Sequence, residues 1–209
     1  MDTVKKNDFI EIEFTGYSNG EPFDTTDKEI AKKMGIDVDV KPIIISVGNE
    51  MLLKGFDEDL IGKEINKFYK IKLPPEKAFG RRDPNNIKVI SLKVFNDKKI
   101  NPYPGLTLQI DNYIAKVISV SGGRVNVDFN NPLAGKEVEY HYIIKRKINE
   151  NTEKINALMD FFFKQRFNFI IEENKVIFKD EKINPLIEVM LEKFKNMTGL
   201  EFEINHTKK

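Results

Sequence analysis

Side chains that commonly carry out reactions are few in this chain and poorly grouped. It has two histidines, His141 and His206, and no cysteine. Thiolate nucleophiles, thiolate metal sites and disulfides are therefore excluded. Neither histidine has a neighbouring set of ligand residues, and His206 lies in the tail, so both are expected as strand or surface residues rather than a metal pair. Gly122-Gly123 lacks the lysine or following helix that a phosphate-cradling loop requires. Carboxylates occur in runs, Asp57-Glu58-Asp59 and Glu172-Glu173, that read as solubilising charge rather than an acid–base pair. Proton transfer, covalent catalysis and metal chemistry find no candidate, and no cofactor or metal is expected.

What stands out instead is apolar. Aromatic and aliphatic residues recur beside glycines in Phe14-Thr15-Gly16, Phe23-Asp24, Val47-Gly48, Leu52-Leu53-Lys54-Gly55-Phe56 and Ala78-Phe79-Gly80. Singly, each reads as a core aromatic.

The elements that must position them are legible from periodicity. Ile10, Ile12 and Phe14 alternate with Phe9, Glu11 and Glu13, which predicts a half-buried strand ending at Gly16. Ser18-Asn19-Gly20-Glu21-Pro22 is turn chemistry, and Phe23 to Thr26 resumes the extended chain. A short helix over 29–34, capped by Thr26 or Asp27, stops at Gly35. A strand over 42–47, a short helix from about Met51 to Ile61 and a strand over 66–73 follow.

Residues 84–131 read as a separate small all-β unit, bounded by Asp83-Pro84-Asn85-Asn86 and Asn130-Asn131-Pro132. Strands are expected there at 87–95, 106–110, 113–120 and 125–129, and strand character returns over 136–147. A third unit, 149–209, reads as α-β-β-α-β. Its first helix carries Ile155, Leu158, Met159, Phe162 and Phe163 at helical spacing, and Pro185 opens its second. The triplet Phe161-Phe162-Phe163 cannot all face one side of a helix, so a homodimer contact through this unit is expected, with a second surface for client chains as the alternative.

The bulk numbers bound the partners. With 209 residues, 40% hydrophobic and 32% charged, the chain is a folded globular protein and not a disordered one. A net charge of +1 gives no field for nucleic acid or an anionic membrane, and short basic runs such as Lys145-Arg146-Lys147 are flanked by acids. The N-terminus lacks the apolar core of a secretory signal, and no apolar run approaches the roughly 20 residues that span a bilayer. A cytoplasmic protein is expected.

In order and spacing the apolar clusters resemble the FKBP-type peptidyl-prolyl isomerases. The pattern is aromatic-Thr-Gly, then Phe-Asp, then Gly48 to Gly55-Phe56, then Ala78-Phe79-Gly80. Leu133-Ala134-Gly135-Lys136 with Val138-Glu139-Tyr140 resembles the closing strand of the SlyD-like branch, in which a β-rich insert-in-flap domain interrupts the isomerase domain; the C-terminal extension resembles the long archaeal version. The resemblance implies an α+β fold: an antiparallel sheet wrapped on a short helix, formed by 1–83 and 132–148, with the insert at 84–131 and a C-terminal α+β domain at 149–209. It implies a pocket in which Phe14, Asp24, Phe56, Phe79 and Tyr140 act on the bound prolyl bond, and Phe23, Ile43, Leu52 and Leu53 hold the substrate, with Phe56 as the floor and Asp24 as the polar edge. Ile87, Val89, Ile90 and Leu108 of the insert are expected to hold unfolded chain.

The implied activity is cis/trans isomerisation of X-Pro bonds in unfolded or nascent proline-containing polypeptides, joined to a chaperone role. The alternative is a holdase that keeps the fold with negligible isomerase activity; a third class is an assembly or ribosome-associated scaffold. The alternatives draw on one departure. Phe14 and Phe79 stand where many members carry tyrosine, and a lost hydroxyl contact costs about 0.5–1.5 kcal/mol of binding. The histidine-rich metal-binding tail of some SlyD-like proteins has no counterpart, so nickel binding is not implied.

Overall fold

The strand that organises the first sheet is β1 (Phe9–Ser18), whose alternation puts Ile10, Ile12 and Phe14 into the core. In the computed structural model, which describes residues 3–110, 113–179 and 184–204, the chain divides into two compact units: Met1–Lys72 with Val138–Lys209, and Leu73–Glu137. His206 lies outside the described residues.

In the first unit, with elements numbered along the chain, β2 (Glu21–Thr25) and β3 (Ile43–Ser46) share one edge of β1, at its end and its start respectively. The other edge pairs antiparallel with β9 (Val138–Ile148), from Phe9↔Ile148 to Tyr17↔Glu139. Beyond β9 lies β4 (Phe68–Leu73). Helix α1 (Lys28–Lys33) is capped by Asp27, whose Oδ1 accepts from Ile30 N at 2.9 Å. Helix α2 (Lys54–Asp59) covers the sheet, and Phe56 and Leu60 join Ile10, Ile12, Ile45, Tyr142 and Ile144 in the core.

The C-terminal segment groups with this unit instead of standing apart. Helix α4 (Asn151–Phe162) contacts β3 and buries Ile155, Leu158 and Met159. Phe9, on the outward parity of β1, is nonetheless buried, with Lys154 Nζ 5.9 Å from its ring centroid. Arg146 of β9 donates from Nε to Glu11 at 2.6 Å and from Nη1 to Glu153 at 3.1 Å, joining β1, β9 and α4. A segment of this size is marginal on its own core, and the contact of α4 with β3 adds to it. Strands β10 (Phe169–Glu172), β11 (Lys175–Phe178) and β12 (Glu201–Ile204) form its sheet. Antiparallel β10–β11 makes a hairpin, whereas β12 runs parallel to β11 because α5 (Asn184–Thr198) crosses between them. Phe162 and Phe163 face Phe194 at 5.5 and 5.8 Å between ring centroids.

The second unit is a sheet of order β5-β8-β7-β6, made of β5 (Ile87–Ser91), β6 (Thr107–Ile110), β7 (Tyr113–Ser121) and β8 (Arg124–Asp128). Its core is Phe95, Ala115, Val117, Val125 and Val127. The expected strand over 87–95 stops at Ser91. Ser91 Oγ accepts from Lys93 N at 3.3 Å and caps helix α3 (Leu92–Asp97), which turns Phe95 into that core. This unit extends past the 84–131 boundaries because its flanks are tied together. Gly135 N donates to Gly80 O at 2.8 Å, Asp83 N to Asn130 Oδ1 at 2.9 Å, and Arg82 pairs with Asp128.

Candidate active site

Phe56, expected as the pocket floor, is held by a helix with no side-chain cap of its own at Leu53. A buried carboxylate does the anchoring. Asp57 Oδ1 accepts from Gly48 N at 2.7 Å and Oδ2 from Glu50 N at 2.9 Å, so one side chain ties the turn at 48–50 to α2. The neighbouring Tyr142 donates its hydroxyl to Asp59 Oδ2 at 2.6 Å, bracing the same helix from β9. Burial, with Asp59 second, pushes the Tyr142 hydroxyl up, so it remains a donor.

Four expected pocket residues meet around Tyr140. Its ring centroid lies 4.7 Å from Phe56, 5.8 Å from Phe14 and 5.7 Å from Phe23, the last two edge-on. Phe14 also meets Phe56 edge-on at 5.9 Å. Such close rings leave no room for a side chain on the strand beneath them. A Cβ on Gly16 would lie 2.7 Å from Phe23 Cζ and 2.8 Å from Tyr140 Cε1.

Asp24 is positioned through its threonine neighbours. Thr26 Oγ1 accepts from Phe14 N at 2.8 Å, Thr26 N donates to Phe14 O at 2.9 Å, and Thr25 Oγ1 bonds Thr15 Oγ1 at 2.8 Å. These buried contacts fasten β2 to β1, so that Asp24 stands opposite Gly16 at the pocket rim. Partial desolvation raises the Asp24 carboxyl above its usual range, against the lowering effect of a hydrogen bond from the Thr25 backbone. Burial, and then the Asp24 charge, push the Tyr140 hydroxyl up as well. Tyr140 thus remains a neutral phenol beside the carboxylate, and the aromatic cluster keeps a hydroxyl although Phe14 has none.

The remaining expected residues divide by location. Ile43 is half-buried at the start of β3 and lines a cavity shared with Phe14 and Asp24, while Leu52 and Leu53 are half-buried just before α2. Phe79 belongs to the second unit, half-buried after a single 3-10 turn at Pro75–Lys77. In the insert, Ile90 and Leu108 pack on the small core, whereas Ile87 and Val89 are exposed, Val89 at 62%. His141 is a half-buried strand residue, 2.5 Å from Glu139 Oε1 and 4.7 Å from Tyr17 between ring centroids. Asp57 was hidden in the sequence inside an acidic run, and the threonines beside Phe-Asp carried no chemistry of their own; the signal for both was their place next to the pocket motifs.

A family model described as FKBP-type peptidyl-prolyl cis-trans isomerase matches residues 1–96, and one described as FKBP26, IF domain, matches residues 88–133. A short-type peptidyl-prolyl cis-trans isomerase of Methanocaldococcus jannaschii is 34% identical over 143 residues, 67% of this chain and 91% of that protein. The chain belongs to the FKBP-type peptidyl-prolyl cis-trans isomerases. The FKBP-type 16 kDa isomerase of Escherichia coli K12 is 27% identical over 143 residues, 66% of this chain and 90% of that one. SlyD of Aeromonas hydrophila is 27% identical over 129 residues, 61% of this chain and 56% of that one. An FKBP-type isomerase acts on X-Pro bonds of polypeptides, and an insert-in-flap domain accounts for the second sheet. Among the described residues, no helix is long and apolar enough to cross a membrane.

Proposed function

We propose that catalysis works by apolar enclosure of the prolyl bond and that the insert holds unfolded chain beside it. Rotation about an X-Pro amide meets a barrier of about 18–20 kcal/mol, because resonance flattens the C–N bond. A low-dielectric cage disfavours the charge-separated planar amide relative to the twisted one, which is differential binding of the transition state without proton transfer. The observation that carries this reading is the ring cage of Phe14, Phe23, Phe56 and Tyr140, with Asp24 as the carboxylate at its rim. The chaperone half rests on the outer face of the insert sheet, where Val89 is 62%, Ile114 58% and Ile118 43% exposed.

The test is to follow isomerisation of a short Xaa-Pro peptide beside suppression of aggregation, for the full chain, for Phe56→Leu and for Val89→Ser combined with Ile114→Ser. Peptide turnover should fall in the first variant only, and aggregation suppression in the second only. The holdase reading keeps a place because Phe14 and Phe79 lack hydroxyls. Full aggregation suppression with no peptide acceleration by any form would establish it. Association of two copies through the C-terminal segment is a further reading. It draws on the exposed Val189 of α5, since Phe161, Phe162 and Phe163 all find neighbours within the chain.

A further inference from the structure

We propose that the groove between the isomerase pocket and helix α4 is a second subsite for the same polypeptide, selecting an acidic residue within a few positions of the isomerised proline. The inference rests on the reading of the aromatic cage as the prolyl site. A cavity of about 680 Å³ is lined on one side by Phe14, Asp24 and Ile43 and on the other by Phe161 of α4. That volume falls in the range of sites that bury a ligand of several residues or drug-sized groups. Phe14 and Asp24 belong both to this lining and to the proposed prolyl pocket, so the groove adjoins that pocket.

The wall opposite the pocket is held in place. Arg146 ties Glu11 of β1 to Glu153 of α4, and Arg166 grips Asp160 through two hydrogen bonds of 2.8 and 2.6 Å. Glu11 and Glu153 thus share the one Arg146 guanidinium, while Asp160 has Arg166 to itself. Lys41 and Lys164 also line it, and among the described residues neither takes part in an ion pair. Lys164 Nζ instead stands 5.3 Å from the Phe161 ring centroid. Beyond these pairs the groove holds Lys41 and Lys164, whose charges also act on Asp160, with Asp24 at its pocket end and the apolar Ile43 and Ile44 in the lining. An extended chain with an apolar prolyl segment and a nearby Glu or Asp complements that order.

The experiment compares a four-residue Xaa-Pro peptide with longer peptides carrying Glu, Ala or Lys two to four residues to either side of the proline. Both turnover and binding, by fluorescence anisotropy, are measured for the full chain and for Lys41→Glu combined with Lys164→Glu. The Glu peptides should exceed the Lys peptides by about fivefold in kcat/KM and in affinity, the worth of two exposed charge pairs. The preference should vanish at about 1 M salt and reverse in the double variant, while the four-residue peptide is handled equally by both proteins. Equal handling of Glu and Lys peptides, or an unchanged order in the double variant, overturns the proposal. So does a double variant that changes oligomeric state with selectivity intact, which would make the groove a contact between copies. A failure of catalysis with every peptide would count against the cage, while the affinities still decide the groove.

Discussion

Gly16 and Tyr140 face each other across the β1–β9 pair so closely that a methyl group on Gly16 would sit 2.8 Å from Tyr140 Cε1 and 2.7 Å from Phe23 Cζ. The glycine is required by the rings above it, whose approach closes the aromatic cluster proposed as the prolyl site. Gly16→Ala should therefore push Tyr140 and Phe23 off position. Overpacking of this kind costs about 1–3 kcal/mol of stability. Peptide turnover should fall by at least about tenfold, since misplaced rings act directly on the bound amide. Thermal melting and a peptide assay on the same sample check this, and an active Gly16→Ala protein would show that the cage tolerates a wider spacing.

Asp24 has a pH signature with a definite sign. Its folded-state pKa is raised, so the folded protein holds the proton more tightly than the unfolded chain does. Ionising it costs stability, and that cost develops as pH rises from the unfolded value near 3.8 through the folded one. Asp24→Asn should melt higher than the parent at pH 7 and with it at pH 3, while turning over peptide more slowly. A lower melting temperature at pH 7 would show that the carboxylate is held by partners that outweigh its desolvation.

Tyr140 supplies a phenol beside Asp24 where Phe14 cannot. If that hydroxyl serves the bound chain, Tyr140→Phe should lower kcat/KM by up to about tenfold, the worth of one hydrogen bond, and change stability by less than about 1 kcal/mol. Equal turnover by the two proteins would leave the ring, and not its hydroxyl, as the working part.

Asp57 is the clamp behind the floor. Asp57→Ala leaves the Gly48 and Glu50 amides, neither of them fully buried, without their carboxylate acceptor, at about 1–3 kcal/mol in all. A fall in melting temperature with a parallel loss of turnover is expected, and Asp57→Asn, which keeps one carbonyl oxygen, should lie between. An Asp57→Ala protein that melts like the parent would show that water replaces the clamp.

The order of elements was readable along the chain, because periodicity and turn residues are local, whereas the expected pocket residues came from the family resemblance. Ile10, Ile12 and Phe14 announce a one-sided strand, and Gly16 marks where backbone and rings come close. The strand over 87–95 failed at Ser91 because an N-cap signal was outweighed by a β-rich run, and the need to bury Phe95 is a tertiary one. Asp57 likewise looked like one acid among three, since nothing in a one-dimensional run shows which carboxylate turns inward.

What the sequence determined by itself was the inventory: an apolar site without thiol, a strand-and-short-helix frame, and the kinds of side chain that line the pocket. Only the tertiary structure decided that Tyr140 is the ring on which Phe14, Phe23 and Phe56 converge, and that helix α4 closes a groove beside Asp24. Both depend on contacts between residues more than a hundred positions apart, such as Glu11 with Arg146 and Gly16 with Tyr140. Local propensity carries no information about such pairs; they are set by which faces the sheet and helices bury against one another.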